Sequence, residues 1–381
     1  MKREIKITPL PPNLLVNREE LRTSPQQPLQ AEELSPRNPA ADQDFSYILG
    51  TPVFDSIPFK NESPAIVPEG QYGIAQKVLR NTSGRKSMVR LLKKEYRAVA
   101  QALADMGIGF RVLNLREGDK EVGRWLLKMG CENLQFSVER ATRWSMFPRD
   151  MFVYLEAKKT LLAHSRLFKL HKKRIGSCEI IHTNWAEGGR MLFSGDRVII
   201  GRHLETLNRT SESRVFNLLK DKGMKIAAIP LALFYQLSRK GKGRRMSLYY
   251  DFHIDRSASL LRGKDGGYHL VLDPAYRTGE LASPMPASES VALVRKACEK
   301  IQVRLHVPRS VQVPYATAVM QFKNGKTLAT GGDEELLVTL EDVVGSGNLH
   351  VTEIPFSAYP VFASAGLHCL VTETPGPLID W

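Results

Sequence analysis

The sequence predicts an α/β chain built of similar-sized units. Apolar runs of strand length recur from about residue 110 onward, amphipathic stretches of helix length lie between them, and the alternation continues to the end. The chain has 381 residues, 43% of them hydrophobic, a normal fraction for a globular protein with one large or two ordinary domains.

The first 69 residues stand apart. Half of the 22 prolines precede residue 70, in "PLPPNLLVN", "TSPQQPLQAEELSPRNPA" and "SPAIVPEG", the composition of extended or poorly ordered chain. Residues 1–69 are therefore expected to be a Pro-rich extension, partly disordered or packed on the core and removable at least in large part, with 70–381 the folded domain. From Ser87 the pattern changes. Met88, Leu92, Tyr96, Val99, Leu103 and Met106 fall on one side of a helix, with Ser87 as its N-cap and Gly107 as its stop. "FRVLNL" is then a strand. Further strands are predicted at "MFVYLE", "RVIIG", "SLYYDFHI", "YHLVLD", "ATAVMQF", "LHVTEI" and "LHCLVTE", and helices near 160–174, 211–222, 288–301 and 333–344. The rhythm is structural; no sequence repeat accompanies it.

Composition narrows the function. The opening "MKREIKITPLPPNLLVNREE" has no signal-peptide apolar run, and no segment approaches the ~18 uncharged apolar residues of a membrane span, so a soluble, cytoplasmic protein is expected. The four cysteines are scattered with no CxxC pair, which suggests neither a disulfide framework nor a thiolate zinc site. Cys298 joins Val291, Val294 and Ile301 in an apolar stripe, and Cys131 and Cys178 have no recognisable partner, so all three are assigned to packing. Cys369, in "FASAGLHCLVTETP", is different: small residues and His368 leave the thiol accessible to a ligand. Much of the net charge of +14 comes from "RKSMVRLLKKEYR", "RLFKLHKKR" and "RKGKGRR". The first two are read as solvated helix faces and the third as an exposed loop. With no RNA-binding, zinc-finger or helix-turn-helix signature, a nucleic-acid partner is not expected.

Polar residues inside apolar strands mark the remaining candidates, because an unpaired carboxylate or imidazole there is costly. Arg149 and Asp150 interrupt "WSMFPRDMFVYLE", where a buried structural pair is the plain reading. Glu187 precedes Gly188 and Gly189 at the opening of a hairpin whose turn is "SGD", and the glycines permit close backbone approach. In "YYDFHIDRSASLL", strand alternation puts Asp251, His253 and Asp255 on one face, open to reading as a metal pair, a base with an acidic neighbour or a hydrogen-bonded surface. A metal lacks further ligands, and no cofactor is expected. Three acids around one thiol would suppress its ionisation unless a cation sits among them, and the substrate can be that cation. A guanidinium is matched by carboxylates in a fork and presents an electrophilic carbon to sulfur.

These residues, as "PRD" at 148–150, "EGG" at 187–189, "HID" at 253–255 and "GLHC" at 366–369, resemble in order and spacing the pentein, or guanidino-group-modifying, superfamily. The resemblance implies a five-bladed pseudosymmetric α/β propeller of ββαβ units with the site on its axis. It implies Cys369 as nucleophile, His253 as acid and base, Asp150 and Asp255 as holders of the guanidinium nitrogens with Arg149 beside them, and Glu187 orienting His253 or sharing the substrate's charge. The implied activity is a hydrolase of deiminase type working through a covalent thiouronium, on an arginine-like small molecule or peptidyl arginine. An amidinotransferase is the first alternative. A non-catalytic basic binding protein on a pentein scaffold is another. Arg190 after "EGG" and Ser364, Ala365 and Gly366 before the histidine and cysteine depart from the family pattern.

Overall fold

The computed structural model describes residues 47–57, 73–134, 146–164, 174–175, 177–183, 188–202, 210–231, 233–240, 243–250, 253–274, 276, 287–313, 315–363 and 365–375. Along them run β1 (Tyr47–Leu49), α1 (Gly73–Asn81), α2 (Gly84–Asp105), β2 (Phe110–Leu113), α3 (Lys120–Lys128) and β3 (Glu132–Leu134). Next come β4 (Phe152–Leu155), β5 (Thr160–His164), β6 (Arg174–Ile175), β7 (Cys178–Thr183), β8 (Met191–Ser194), β9 (Arg197–Arg202), α4 (Thr210–Asp221) and β10 (Lys225–Pro230). They are followed by β11 (Leu233–Lys240), β12 (Gly243–Tyr250), β13 (Ala258–Arg262), β14 (Tyr268–Leu272), α5 (Ala287–Lys300) and β15 (Val303–His306). The chain then forms β16 (Met320–Gln321), β17 (Thr327–Ala329), α6 (Glu334–Val344), β18 (Leu349–Val351), α7 (Leu367–Leu370) and β19 (Val371–Glu373).

One pairing pattern recurs in five of the six sheets: an antiparallel pair, then a parallel strand. It is seen in β19–β1–β2, β4–β5–β7, β8–β9–β10, β13–β14–β15 and β16–β17–β18. A parallel neighbour needs a crossover, and α2, α4, α5 and α6 supply it in four of them. Among the described strands no backbone pairing joins one of these sheets to the next. The strand ladders therefore establish the α/β repeat but do not by themselves close a five-bladed ring.

The helix expected from Ser87 is α2. All six stripe residues are buried, each worth about 1.5–3 kcal/mol of apolar transfer. It begins four residues earlier than expected, after Ser83, whose backbone is extended but whose side chain makes no capping bond. It stops where Gly107 turns left-handed at φ 68°. Its other face carries the first basic run. Lys86, Arg90 and Lys94 border a groove of about 810 Å³ floored by Val89, Trp125 and Ile354. Lys93 is tied to Asp119 (2.9 Å) and Glu121 (2.8 Å).

Three expectations fail for identifiable reasons. Part of the helix expected over 160–174 is the strand β5, buried along its whole length, because a short apolar run such as "TLLAH" fits a covered strand as well as a helix. Residues 165–173 of that expectation lie outside the described residues. Of "SLYYDFHI", β12 holds the residues through Tyr250, Asp251 and Phe252 lie outside the described residues and His253 opens a turn, and "LHC" forms the helical turn α7 before β19 begins. Both departures occur where the backbone leaves the sheet to present polar side chains.

Residues 47–57, on the N-terminal side of the boundary expected at 69, belong to this architecture, whereas 1–46 and 58–72 lie outside the described residues. β1 lies between β19 and β2, pairing Tyr47 with Glu373 and with Phe110. Just beyond it the Gly50 N–H donates to the Leu370 carbonyl (2.7 Å), and the Tyr96 hydroxyl donates to the Gly50 carbonyl (2.6 Å).

α2 also holds the chain that leads to Cys369. The buried Glu95 carboxylate accepts from the backbone N–H groups of Ser357 (2.7 Å), Ala358 (2.6 Å) and Tyr359 (3.1 Å) and from the Ser357 hydroxyl (3.1 Å). Burial pushes its pKa from 4.5 to about 7 against those four bonds. Below pH 4.5 the carboxyl is protonated in folded and unfolded chains alike. Between about 4.5 and about 7 the unfolded chain ionises first, so stability falls as pH rises, by roughly 3 kcal/mol in all. The melting temperature is expected to drop between pH 5 and pH 8, as read by calorimetry. Glu95→Gln, which cannot ionise, should flatten that drop while lowering stability by about 1–3 kcal/mol through its mismatched amide.

Candidate functional site

Each sequence-predicted site residue within the described residues sits in a short turn immediately before the first strand of a repeat. Pro148–Asp150 precedes β4, Gly188–Arg190 precedes β8, Ile254–Arg256 precedes β13, and α7 precedes β19. The fifth repeat has its own such segment, 315–319, before β16, with Tyr315 in a left-handed conformation at φ 61°. The turn at 148–150 touches both α7 and the turn at 188–190, which in turn touches that at 254–256. Arg149, Asp150, His253, Asp255 and Cys369 are thereby brought together. Glu187 lies outside the described residues, as do Asp251 and Ser364.

Arg149 pairs across the turns with Asp255 rather than with its neighbour: its Nε is 3.3 Å from Asp255 Oδ2, and its Nη2 donates to the Met191 carbonyl (3.3 Å). His253 Nδ1 stands 4.0 Å from Asp150 Oδ1, beyond hydrogen-bond distance. The strand-face reading of His253 and Asp255 gives way to a turn closed by the Ser257 N–H on the Ile254 carbonyl (3.1 Å). Asp255 is 1% exposed, and among the described residues neither of its carboxylate oxygens accepts a hydrogen bond. A buried carboxylate in that state calls for a donor.

The glycine pair does what close approach requires. A Cβ on Gly188 would lie 2.7 Å from the Arg149 carbonyl oxygen and 2.9 Å from Val153 Cγ2, and one on Gly189 would lie 2.5 Å from His253 Cγ and Nδ1. The backbone before β8 is thus the surface against which Arg149 and His253 rest. Gly189→Ala should displace the imidazole and cut kcat by about 100-fold with little change in KM, as steady-state kinetics would show. The expected hairpin is present, with Ser194 opposite Arg197 and Gly195 at φ 55° in its turn.

Cys369, 3% exposed, has its thiol raised well above the ordinary value, first by burial and then by Asp255 and Asp150, with Arg256 opposing. Burial, then Arg256, Arg190 and Arg149, hold His253 well below the usual histidine range. Burial raises the Asp255 carboxyl, while Arg149 and Arg256 draw it down. His368 is kept neutral by burial and Arg149. Arg149, expected beside the carboxylates, is joined by Arg190 and Arg256, so the substrate is not the sole cation that can act on the site. Arg190 was visible as a departure. Arg256 was missed, and its signal was the position directly after "HID". Together these shifts favour a protonated thiol at Cys369 and a neutral imidazole at His253.

Among the described residues, no group of three or more His, Cys, Asp and Glu side chains is placed to hold a metal ion, and no helix is long and apolar enough to cross a membrane.

No family model matches the chain, and neither does any curated protein. Solved structures do. The chain is similar to DDAH from Pseudomonas aeruginosa complexed with citrulline, at 12% identity over 86% of this chain and 98% of that one, with a TM-score of 0.47. It is similar to SxtG, an amidinotransferase from Microseira wollei in the saxitoxin biosynthetic pathway, at 12% identity over 87% and 94%, TM-score 0.46. It is also similar to the N-terminal domain of ArgZ, an arginine dihydrolase from the ornithine-ammonia cycle in cyanobacteria, bound to substrate, at 11% identity over 86% and 97%, TM-score 0.44.

Proposed function

We propose that the protein is a pentein hydrolase of deiminase type, a five-bladed propeller that acts in the cytoplasm on the guanidino group of an arginine-like substrate. The observation that carries this reading is Asp255. Its buried carboxylate, ion-paired with Arg149 but accepting no hydrogen bond at either oxygen among the described residues, stands in the same cluster of turns as a thiol that burial, and then Asp255 and Asp150, push well above its ordinary value. A guanidinium supplies donors to the carboxylates and a positive charge to the thiol, and puts an electrophilic carbon between them.

In this reading the substrate's charge moves the Cys369 proton to the neutral His253. The thiolate attacks the guanidinium carbon, forming a C–S bond, and His253 returns its proton to the departing nitrogen, which leaves as ammonia. Water then attacks the thiouronium carbon, giving a proton to His253, and the C–S bond breaks to yield a ureido product and free Cys369. Asp150 and Asp255 hold the guanidinium nitrogens, Arg149 positions Asp255, and Glu187 orients His253 or shares the substrate's charge.

A panel of arginine, agmatine, peptidyl arginine and smaller guanidines, read by ammonia release and product mass, tests the reading. A gain of about 1 Da with one ammonia per turnover is the deiminase outcome. An amidino group carried to an added amine makes the protein an amidinotransferase. No turnover of any guanidine, together with nucleic-acid binding of steep salt dependence, would leave a basic binding protein.

A further inference from the structure

One cavity of about 720 Å³ takes part of its wall from the first strand of every repeat: Val153 of β4, Leu192 of β8, Leu261 of β13, Gln321 of β16 and Thr372 of β19. Each of these strands begins at a site turn and runs away from it, so the cavity has a defined direction. At its inner end are Arg149 and His368, the first of them 3.3 Å from Asp255. At its outer end, where β4 and β16 finish, Glu156 and Lys323 form a 3.0 Å ion pair whose side chains are 55% and 29% exposed. Towards that outer end, half-buried Ser194, Gln321 and Glu373, the last residues of β8, β16 and β19, give the wall polar groups. At about 30 Å³ per molecule the space holds on the order of twenty waters, and its lining supplies partners for them.

We propose that this cavity is a second entrance to the site, by which a small neutral nucleophile, water or a small primary amine, reaches the covalent intermediate from behind while the substrate's tail still fills the front. The proposal rests on the guanidine reading above and adds the route. Attack by an amine forms the C–N bond, breaks the C–S bond and sends one proton to His253, leaving Cys369 as thiolate; attack by water forms the C–O bond, breaks the C–S bond and sends one proton to His253 and the other to the departing sulfur, leaving Cys369 as thiol. The ion pair of Glu156 and Lys323 is the outer door. Large amines are excluded by a wall of packed first strands, so the cavity, rather than the substrate pocket, selects the acceptor.

Two measurements on the full chain test it. In the Glu373→Cys variant, methyl methanethiosulfonate should label the introduced thiol in the folded protein while a bulky maleimide does not, with labelled peptides identified by mass spectrometry. An introduced thiol that resists the small reagent until the chain is unfolded would overturn the proposal. Ser194→Trp, placed at the outer end, should leave the rate of adduct formation on Cys369 within about twofold and prolong the adduct's lifetime about tenfold or more, with Ser194→Ala behaving as wild type. An unchanged lifetime in the tryptophan variant, when combining it with Glu373→Cys shows the small reagent to be blocked, overturns the route alone. Failure of wild type to form an adduct with any guanidine overturns the guanidine reading, and the route with it.

Discussion

Cys369→Ser is expected to abolish turnover, by about 10⁴-fold or more, with the melting temperature essentially unchanged. The thiol sits in the four-residue turn α7, and the hydrogen bonds that fix that turn belong to the backbone: Cys369 N–H to the Gly366 carbonyl (3.1 Å) and Leu370 carbonyl to the Gly50 N–H (2.7 Å). Serine keeps both. Cys298→Ser should do the reverse, sparing activity and costing about 1–3 kcal/mol, because its thiol is buried among Val294, Ile301 and Leu260, where a hydroxyl loses its water. Kinetics and thermal melts on the two variants separate the roles, and equal activity loss from both without unfolding would remove Cys369 from its place. Thiolate absorbance adds a finer check. Burial, Asp255 and Asp150 all raise the Cys369 thiol, so the empty site should show little thiolate at neutral pH. A slowly reacting guanidine should increase the signal, and Cys369→Ser should remove the increase. A full signal in the empty site would mean that Arg256 and its neighbours outweigh the carboxylates.

Removal of residues 1–45 should leave a folded, active protein, whereas removal of 1–57 should leave no cooperative unfolding transition by circular dichroism. The second truncation deletes β1, the strand that carries two of the three ladders of its sheet, and with it the Gly50 contacts to Leu370 and Tyr96. Phe54, 1% exposed and edge-on to Tyr96 at 5.9 Å between ring centroids, leaves as well. Those losses fall on the main hydrophobic cluster and on the turn that bears the thiol, and they exceed the 5–15 kcal/mol by which a domain is ordinarily stable. A soluble, folded 58–381 fragment would show that β2 and β19 can pair or be covered without β1.

The repeat rhythm was legible because strands and helices have different hydrophobic periods, and the α2 stripe came through residue for residue. β1 was not. "YIL" is three residues long, embedded in proline-rich chain, and acquires its identity only from partners that lie far away in sequence. β5 was mistaken because a strand covered on both faces carries no alternation. At the site, residue types and order pointed to side chains that the turns bring together, and the glycine pair announced a close approach. What the sequence withheld was the conformation at the point of use, since His253, Asp255 and Cys369 leave the sheet in turns that no periodicity marks. It also withheld Arg256, which acts on both His253 and Cys369.

The pairing of Tyr47 with Glu373 has a consequence for the order in which the molecule comes into being. A ribosome releases β1 and β2 long before β19 exists, so the nascent chain carries an apolar strand with one bare edge through most of its synthesis. Such an edge invites pairing with another chain, and its native partner arrives only with the segment that delivers the thiol. Closing so long a loop is entropically slow. Protection of that edge and arrival of the Cys369 thiol are therefore a single late event, and a stalled or clipped chain exposes the first while lacking the second.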